Sequence, residues 1–448
     1  MEIIGSLILS LTQSILFYGK QIGISMLIFE VVCNGIILFV LNQKEKIQNK
    51  AGLWLMVPIV LLSSTYFIFA NRTFYVANIF VIFALNFIMY VILTNSKGTL
   101  TNYLYKTGML FTDTVGEWQD GLKLSKEVAN EHLSVKKKTV NVKKIVKSVL
   151  IVCVVVGIVL ILLSSADSIF ANLFSGIGRI FTHINTANIF NLILRIVIMV
   201  MLLATLNIVY LVFCFIQIQS LFAKINIQNS FDYANYARSG FFQLMFVSFI
   251  NLAVILISNR YNAKKEKNIK ILNLMLVVFT IIIAISSMYR MHMYEMEYGL
   301  TYLRMFVYII LITEIIAFIP IVKYILDDKF DFMKWCFGIC IGAYCVANLM
   351  NIENIIVNRN LTRESIRSID YNYLSNIASE DSYIILEDKL QDQNIDLKEE
   401  TAIENILINI KKNEKTLSWQ EFNISKMRIQ KRRTNIQRMN EIVYDLYD

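Results

Sequence analysis

The sequence lacks most of the residues and motifs on which soluble enzymes rely. Its 448 residues include two prolines and three histidines, His132, His183 and His292. No two histidines stand at metal-ligand spacing, and the chain has no phosphate-binding loop, zinc-protease motif or nucleophile elbow. We therefore predict no catalytic residues of a known type, no metal site and no cofactor.

Cysteine is scarce where it would form disulfides. All six cysteines lie inside apolar segments, so the loops offer no disulfide framework, and no C-x-x-C pair offers a zinc site. The N-terminus has no basic region followed by a small-residue cleavage site. Its apolar stretch is therefore expected to persist as a helix rather than to be removed as a signal peptide.

Long apolar runs dominate the sequence. Hydrophobic residues make up 56% of the chain and the mean hydropathy is +0.54, whereas soluble domains average roughly 45–50% apolar residues. A helix needs about 20 apolar residues to cross a bilayer core about 30 Å thick. Ten segments approach or meet this length: 3–18, 22–41, 52–70, 74–94, 145–164, 189–218, 239–258, 271–290, 302–325 and 332–350. The sequence predicts an all-α, polytopic transmembrane helical bundle of about 9–10 spans, of which 3–18 is short enough to be re-entrant or tilted.

The chain divides into four regions by hydropathy. They are N-terminal transmembrane helices (1–94), a basic loop expected in the cytoplasm (95–144), a transmembrane core (145–350) and a helical polar tail (351–448). The net charge of +9 comes mainly from lysines and arginines in loops, which favours contact with lipid headgroups over nucleic-acid binding.

Composition also suggests where the protein resides. Few prolines with many isoleucines, asparagines and lysines are typical of an AT-rich bacterial genome. We expect a multi-pass protein of the bacterial cytoplasmic membrane, with the lipid bilayer as its main partner and the tail as the surface for any protein partner.

The orientation of the bundle is ambiguous in the sequence. Strict alternation of ten spans places both termini in the cytoplasm, but it also places the basic loop 258–270 outside, against the positive-inside tendency. A further crossing or a re-entrant piece between 165 and 190 would remove this conflict. We predict a cytoplasmic C-terminus and keep the second arrangement open.

Ionisable residues inside the predicted spans are functional candidates, because a charge near the bilayer centre is costly. Glu30, Arg195 and Glu314 occupy such positions. The alternative is that these residues, like the asparagines of the spans, act as structural glue through interhelical hydrogen bonds that contribute roughly 0.6–2 kcal/mol each.

The densest polar cluster is the stretch YRMHMYEMEYGLTYLR (289–304), which lies between two predicted spans. Residues at helical spacing in it are Arg290, Tyr294, Glu297, Thr301 and Arg304. Gly299 is a candidate for a turn that would instead separate two helices. Such a set of opposing charges could bind a headgroup, an ion or a peptide, and a structural ion-pair network that caps two helices is the competing interpretation.

Six segments carry a recognisable pattern of aromatic, charged and amide residues. They are SSADSIFANL (164–173), FDYANYARSGFFQL (231–244), the stretch 289–304, NLMNIENIIVNRNLTR (348–363), SIDYNYLSNIASED (368–381) and LSWQEFNISKMR (417–428). Together they resemble a bacterial multi-pass membrane family known as domain of unknown function 4173. The resemblance implies a polytopic membrane protein with a helical C-terminal region, and it implies no reaction. Ser168 stands where the family usually has proline, which softens an expected kink.

The resemblance also implies which polar positions recur in the family. The matching residues are Tyr236, Arg238, Tyr289, Arg290, Tyr294, Glu295, Tyr298, Gly299, Arg304, Asn358, Arg359, Asn360 and Tyr373. Glu295 rather than Glu297 is thereby favoured as the functional carboxylate. The candidate polar cluster consists of Arg238, Arg290, Tyr294, Glu295, Tyr298, Arg304, Arg359 and Asn360.

Three functions are open at this point. The first is a non-enzymatic regulatory, sensory or scaffolding bundle. The second is a transporter or permease, which should show internal repeats and helices broken at mid-membrane, and no repeat is visible in the sequence. The third is an intramembrane transferase for lipid or cell-wall intermediates, which should show a wide polar cavity lined by Arg290, Glu295 and Arg304. The missing repeat favours the first function.

Overall fold

The computed structural model describes most of the chain as helices. The described residues are 2–71, 73–96, 98–109, 191–222, 230–261, 266–363, 368–392, 395–412 and 418–432. These residues form α-helices and short 3-10 helices, and they contain no strand. The all-α prediction is therefore confirmed for them. The predicted span 145–164, most of the loop 95–144, Ser168 and the stretch 165–190 lie outside the described residues.

The described helices fall into two groups of spans and a tail. The N-terminal group contains α1 (Glu2–Phe17), α2 (Ile24–Gln43), α3 (Met56–Ile68, preceded by a 3-10 helix, Lys50–Leu55), α4 (Tyr75–Thr94) and α5 (100–109). The second group contains α6 (Asn191–Phe222), α7 (Ser230–Tyr261), α8 (Lys267–Tyr298), α9 (Tyr302–Leu326) and α10 (Phe332–Leu349). The tail contains α11 (Ile352–Leu361), α12 (Tyr371–Ile377), α13 (Tyr383–Leu390), α14 (Leu397–Lys412), a 3-10 helix (Trp419–Glu421) and α15 (424–432).

Eight of the described helical segments are long and apolar enough to cross a membrane. They are α2, the first 3-10 helix together with α3, α4, and α6 to α10. They coincide with eight of the ten predicted spans, which confirms a polytopic bundle. Helix α1 has a shorter apolar stretch, Ile4–Phe17. Helices α6, α7 and α8 have 32 residues each, or about 48 Å by helical rise, so they extend beyond a bilayer core about 30 Å thick.

Separate apolar cores hold the two groups of spans and the tail. One core lies between α6, α7, α8 and α9, around Leu206 and Phe213. Another lies between α2, α3, α4 and α10, around Leu62 and Tyr66. A third forms within the tail around Leu386. Because lipid tails are as apolar as leucine, close packing and polar contacts must carry the association of the spans, whereas ordinary hydrophobic burial stabilises the tail.

The tail covers one end of the bundle, called here the tail end. The carbonyl oxygen of Phe422 accepts a hydrogen bond from the Ile24 amide at 3.2 Å, where α2 begins. The hydroxyl of Tyr373 accepts one from the Tyr302 amide at 2.9 Å, where α9 begins. The turns between α1 and α2, α3 and α4, and α8 and α9 all lie at this end.

The opposite end is rich in lysine and is called here the lysine-rich end. The amide of Gln48, in the turn after α2, donates to the carbonyl oxygen of Leu93 at 2.8 Å. Nζ of Lys270 donates to the carbonyl oxygen of Leu326 at 3.2 Å, so α8 begins where α9 ends. The described basic residues at this end include Lys44, Lys46, Lys50, Lys106, Arg260, Lys267, Lys270, Lys323, Lys329 and Lys334.

Both groups of spans place their basic loops at the lysine-rich end. Phe337, near the start of α10, joins the apolar cluster around Ile92 at the end of α4. The described parts of the loops 42–51 and 258–270 therefore lie on the same side of the bundle. Strict alternation of ten spans, which put these loops on opposite sides, is wrong.

Candidate functional site

A turn at Gly299 brings the predicted polar cluster to the tail end. Helix α8 ends at Tyr298, and Gly299 has φ +82° and ψ 169°, a combination open to little except glycine. A Cβ atom at this position would collide with Oδ1 of Asn360. Asn360 fixes the turn from α11, because its Oδ1 accepts from the Leu300 amide (3.1 Å) and its Nδ2 donates to the Leu300 carbonyl (2.8 Å).

Glu295 lies at the centre of this cluster. Its buried carboxylate accepts hydrogen bonds from the hydroxyl of Tyr308 on α9 at 2.8 Å and from Nε of Arg359 on α11 at 3.1 Å. Nδ1 of His292 lies 3.7 Å from Oε2 of the same carboxylate. One side chain thus joins α8, α9 and α11.

Two further arginines of the cluster are held within the protein. Arg304 donates to the carbonyl oxygen of Gly299, and its guanidinium lies 4.4 Å from the centre of the Tyr294 ring, which suits a cation–π contact. The rings of Tyr294 and Tyr298 are 4.6 Å apart. Arg290 is 1% exposed.

The structure gathers most of the candidate polar cluster around the α8–α9 turn. The residues found there are Tyr294, Glu295, Tyr298, Arg304, Arg359 and Asn360. Arg290 is buried about two turns earlier on α8. The backbone of Arg238 belongs to α7, but its side chain is outside the described part. A functional role for these residues stays a prediction.

Two of the ionisable residues in the spans meet polar partners on neighbouring helices. Oε2 of Glu30 accepts from Nδ2 of Asn86 at 2.8 Å, and Oε2 of Glu314 accepts from the hydroxyl of Ser248 at 2.8 Å. The side chain of Arg195 is not among those described. These contacts are interhelical hydrogen bonds, which is what the structural interpretation of these residues requires.

Asparagines connect the spans of the N-terminal group to α10 in the same way. The hydroxyl of Tyr344 donates to Oδ1 of Asn78 at 2.6 Å, and Nδ2 of Asn78 donates to Oδ1 of Asn348 at 2.7 Å. A cavity of about 30 Å³ lies beside them, large enough for one or two water molecules.

A second polar site, which the sequence did not single out, joins the tail to the bundle. Its centre is Glu353 on α11, whose side chain is fully buried. The carboxylate accepts hydrogen bonds from Nδ2 of Asn71 (2.7 Å), the amide and hydroxyl of Ser379 (2.6 and 2.7 Å) and the hydroxyl of Ser382 (2.6 Å). We call Glu353, its partners and Asp381 the junction site.

Asp381 completes the junction site from the tail. Its carboxylate accepts from the backbone amides of Ala70 (3.0 Å) and Asn71 (2.9 Å), in the turn between α3 and α4. Nδ2 of Asn423 donates to the carbonyl oxygens of Tyr66 (3.2 Å) and Phe69 (2.7 Å). The tail thus supplies hydrogen-bond donors to carbonyl oxygens at the end of α3 that have no partner within the helix.

Burial sets the protonation of the junction site. It raises the pKa of the Glu353 carboxyl from 4.5 to about 7, although the hydroxyls of Ser382 and Ser379 lower this pKa, and the charge of Asp381 raises it further. Burial also raises the pKa of Asp381, against the hydrogen bonds from Ser425 and the backbone. Glu353 therefore changes charge near neutral pH.

A polar cavity of about 650 Å³ opens beside the junction site. Its walls come from both parts of the molecule: Asn71, Thr73 and Tyr302 from the bundle, and Glu353, Glu380 and Lys426 from the tail. Nζ of Lys426 lies 3.9 Å from the carboxylate of Glu380. A solvent-accessible route thus leads to the edge of the buried carboxyl.

Fold and site together define a class: a multi-pass integral membrane protein, built as a helical bundle whose polar tail is bonded to one end. The family model of the Domain of unknown function (DUF4153) matches residues 56–205 and 194–388. The chain belongs to this family. A multi-pass membrane family of unknown function was expected, but the number 4173 inferred from the six segments is wrong. Searches of curated proteins and of solved structures gave no match.

Proposed function

We propose that the protein is a non-enzymatic regulatory membrane protein, in which the tail is a sensory domain whose docking on the bundle depends on the junction site. The bundle would hold the tail at the membrane and transmit its docked or released state. The observation that carries this proposal is Glu353, a fully buried carboxyl that binds groups of both tail and bundle and titrates near neutral pH.

The charge of the two ends supports an orientation for the sensor. Cytoplasmic loops carry an excess of lysine and arginine, and the described basic loops lie at the lysine-rich end. We therefore place that end in the cytoplasm and the tail on the opposite side of a bacterial cytoplasmic membrane. This proposal replaces the cytoplasmic C-terminus expected from the sequence.

The sign of the pH response follows from the raised pKa of Glu353. Between pH 4.5 and about 7, Glu353 is protonated when the tail is docked and ionised when the tail is released and the side chain is exposed to solvent. Docking is therefore strongest in acid, weakens as the pH rises from 4.5 to about 7, and changes little above that. Such a carboxyl provides a two-state element of the kind that a sensor requires.

The polar cluster gives the transferase alternative less support. A transferase needs Arg290, Glu295 and Arg304 to face a substrate cavity. Glu295 borders a groove, but Tyr308 and Arg359 already bind its carboxylate. Arg304 binds a backbone carbonyl of the protein, and Arg290 is buried. A protein partner for the released tail is part of the regulatory proposal. Candidate contacts are the exposed apolar side chains of Leu397, Ile408 and Trp419.

A distance measurement tests the proposed switch. Spin labels at Tyr18, an exposed bundle residue, and Gln391, an exposed tail residue, would report docking in reconstituted protein. We expect a longer and broader distance distribution at pH 8 than at pH 5, and a much smaller change in Glu353→Gln. A wild-type distribution that is the same at both pH values would contradict the proposal.

A further inference from the structure

We propose that the protein binds an anionic phospholipid in a groove between α8 and α9, with the lipid phosphate at Arg359 and His292. The groove has a volume of about 770 Å³ and opens on the side of the bundle. It is separate from the junction site and does not depend on the proposed sensory function.

The walls of the groove suit an acyl chain. Ile285 and Met288 line it from α8, and Ile312, Ile315 and Ile316 line it from α9. The wall on α8 runs ten residues from Ile285 to Glu295, or about 15 Å by helical rise. One leaflet of a bilayer core is also about 15 Å thick, so the groove has the length of a single acyl chain.

The polar end of the groove suits a phosphate. Arg359 and His292 line it and keep 46% and 50% of their side-chain surface exposed. Nε of Arg359 donates to Glu295 and Nη2 donates to Sδ of Met296 at 3.4 Å, so the guanidinium is held in place at the edge of the groove. An arginine held in this way is ready to bind phosphate oxygens.

The charge of the cluster favours an anionic lipid over a zwitterionic one. At the polar end of the groove the side chain of Arg359 is 46% exposed, whereas that of Glu295, which also lines the groove, is 9% exposed. This exposed positive charge lies at the tail end of the bundle, where it can meet either an aqueous anion or a lipid phosphate. The apolar walls distinguish the two, because they offer a free phosphate nothing to bind.

Native mass spectrometry of the purified full-length protein in detergent tests this site. The probes are palmitoyl-oleoyl phosphatidylglycerol, the corresponding phosphatidylcholine and inorganic phosphate. We expect phosphatidylglycerol to bind at least severalfold more tightly than phosphatidylcholine, and Arg359→Gln to weaken it about tenfold, since a charge-assisted hydrogen bond is lost. The matched control is Arg432→Gln, because Arg432 also pairs with carboxylates, those of Glu387 and Asp388, but lies in the tail.

A second variant keeps the test independent of the Arg359–Glu295 pair. Ile316→Trp should fill the groove and weaken phosphatidylglycerol binding, whereas Ile319→Trp, on the lipid-exposed surface of the same helix outside the groove, should not. Equal effects of the two tryptophans, equal affinity for both lipids, or an unchanged affinity in Arg359→Gln would overturn the proposal. Displacement of the lipid by millimolar inorganic phosphate would also overturn the proposal, because the site would then bind a free anion rather than a lipid.

Discussion

Replacing Glu353 by glutamine should remove most of the pH dependence of tail docking. Glutamine keeps the size of the side chain and the neutral state that burial favours, but it cannot ionise. The wild-type carboxyl has a pKa of about 7 in the docked state, against 4.5 ordinarily. At 1.36 kcal/mol per pKa unit, docking should weaken by at most about 3 kcal/mol between pH 4.5 and pH 7.

Amide hydrogen exchange provides a direct assay. The amide of Ser379 donates to Oε1 of Glu353 at 2.6 Å, so its exchange reports the opening of the junction site. After correction for the intrinsic rate, its protection in the wild type should fall by up to roughly a hundredfold as the pH rises through this window. Glu353→Gln should remove most of this dependence, leaving the part that comes from the raised pKa of Asp381.

The matched control is Glu380→Gln, in the same cavity but outside the hydrogen bonds of Glu353. This variant should keep the full pH dependence. Protection of Ser379 that is constant between pH 5 and pH 8 in the wild type would refute the reasoning. The same pH dependence in Glu353→Gln as in the wild type would refute it equally.

Three further substitutions test the contacts at the tail end and within the spans. Gly299→Ala should lower the free energy of unfolding by about 2 kcal/mol or more, and with it the thermal midpoint, because the new Cβ atom meets Asn360. Gly342→Ala is the control and should leave the midpoint unchanged, because the space around Gly342 is open. Asn78→Ala should lower the free energy of unfolding in detergent by about 1 kcal/mol, because interhelical hydrogen bonds are lost. An unchanged unfolding midpoint would contradict a structural role for these hydrogen bonds. Asn423→Ala should speed limited proteolysis of the tail, because the carbonyl groups of Tyr66 and Phe69 at the end of α3 lose their donor. An unaltered cleavage rate would contradict that role.

The spans were predictable because length and hydropathy depend only on local sequence. The runs 74–94 and 302–325 agree with α4 and α9 within one residue at each end. The turn at Gly299 was also open to prediction, since a glycine between two apolar runs marks a helix end. Hydropathy could not give the end of α8, because this helix leaves the apolar region before it stops at Tyr298.

The junction site was not predictable from the sequence. Glu353 and Asn71 are 282 positions apart, and no local pattern shows that the start of α11 meets the turn after α3. Burial distinguishes Glu353 and Asp381 from the exposed carboxylates of the tail, and it results from the packing of the tail on the bundle. The position of the loop 258–270 depends in the same way on how α7, α8 and α9 pack together.

Labelling of single cysteines in intact cells tests the central claim, that the tail is a sensory domain on the extracytoplasmic side. In a variant without native cysteines, Gln391→Cys probes the tail and Lys329→Cys probes the lysine-rich end, since both residues are exposed. A membrane-impermeant maleimide should label Gln391→Cys in intact cells and Lys329→Cys only after permeabilisation. The opposite pattern would place the tail in the cytoplasm and contradict the account.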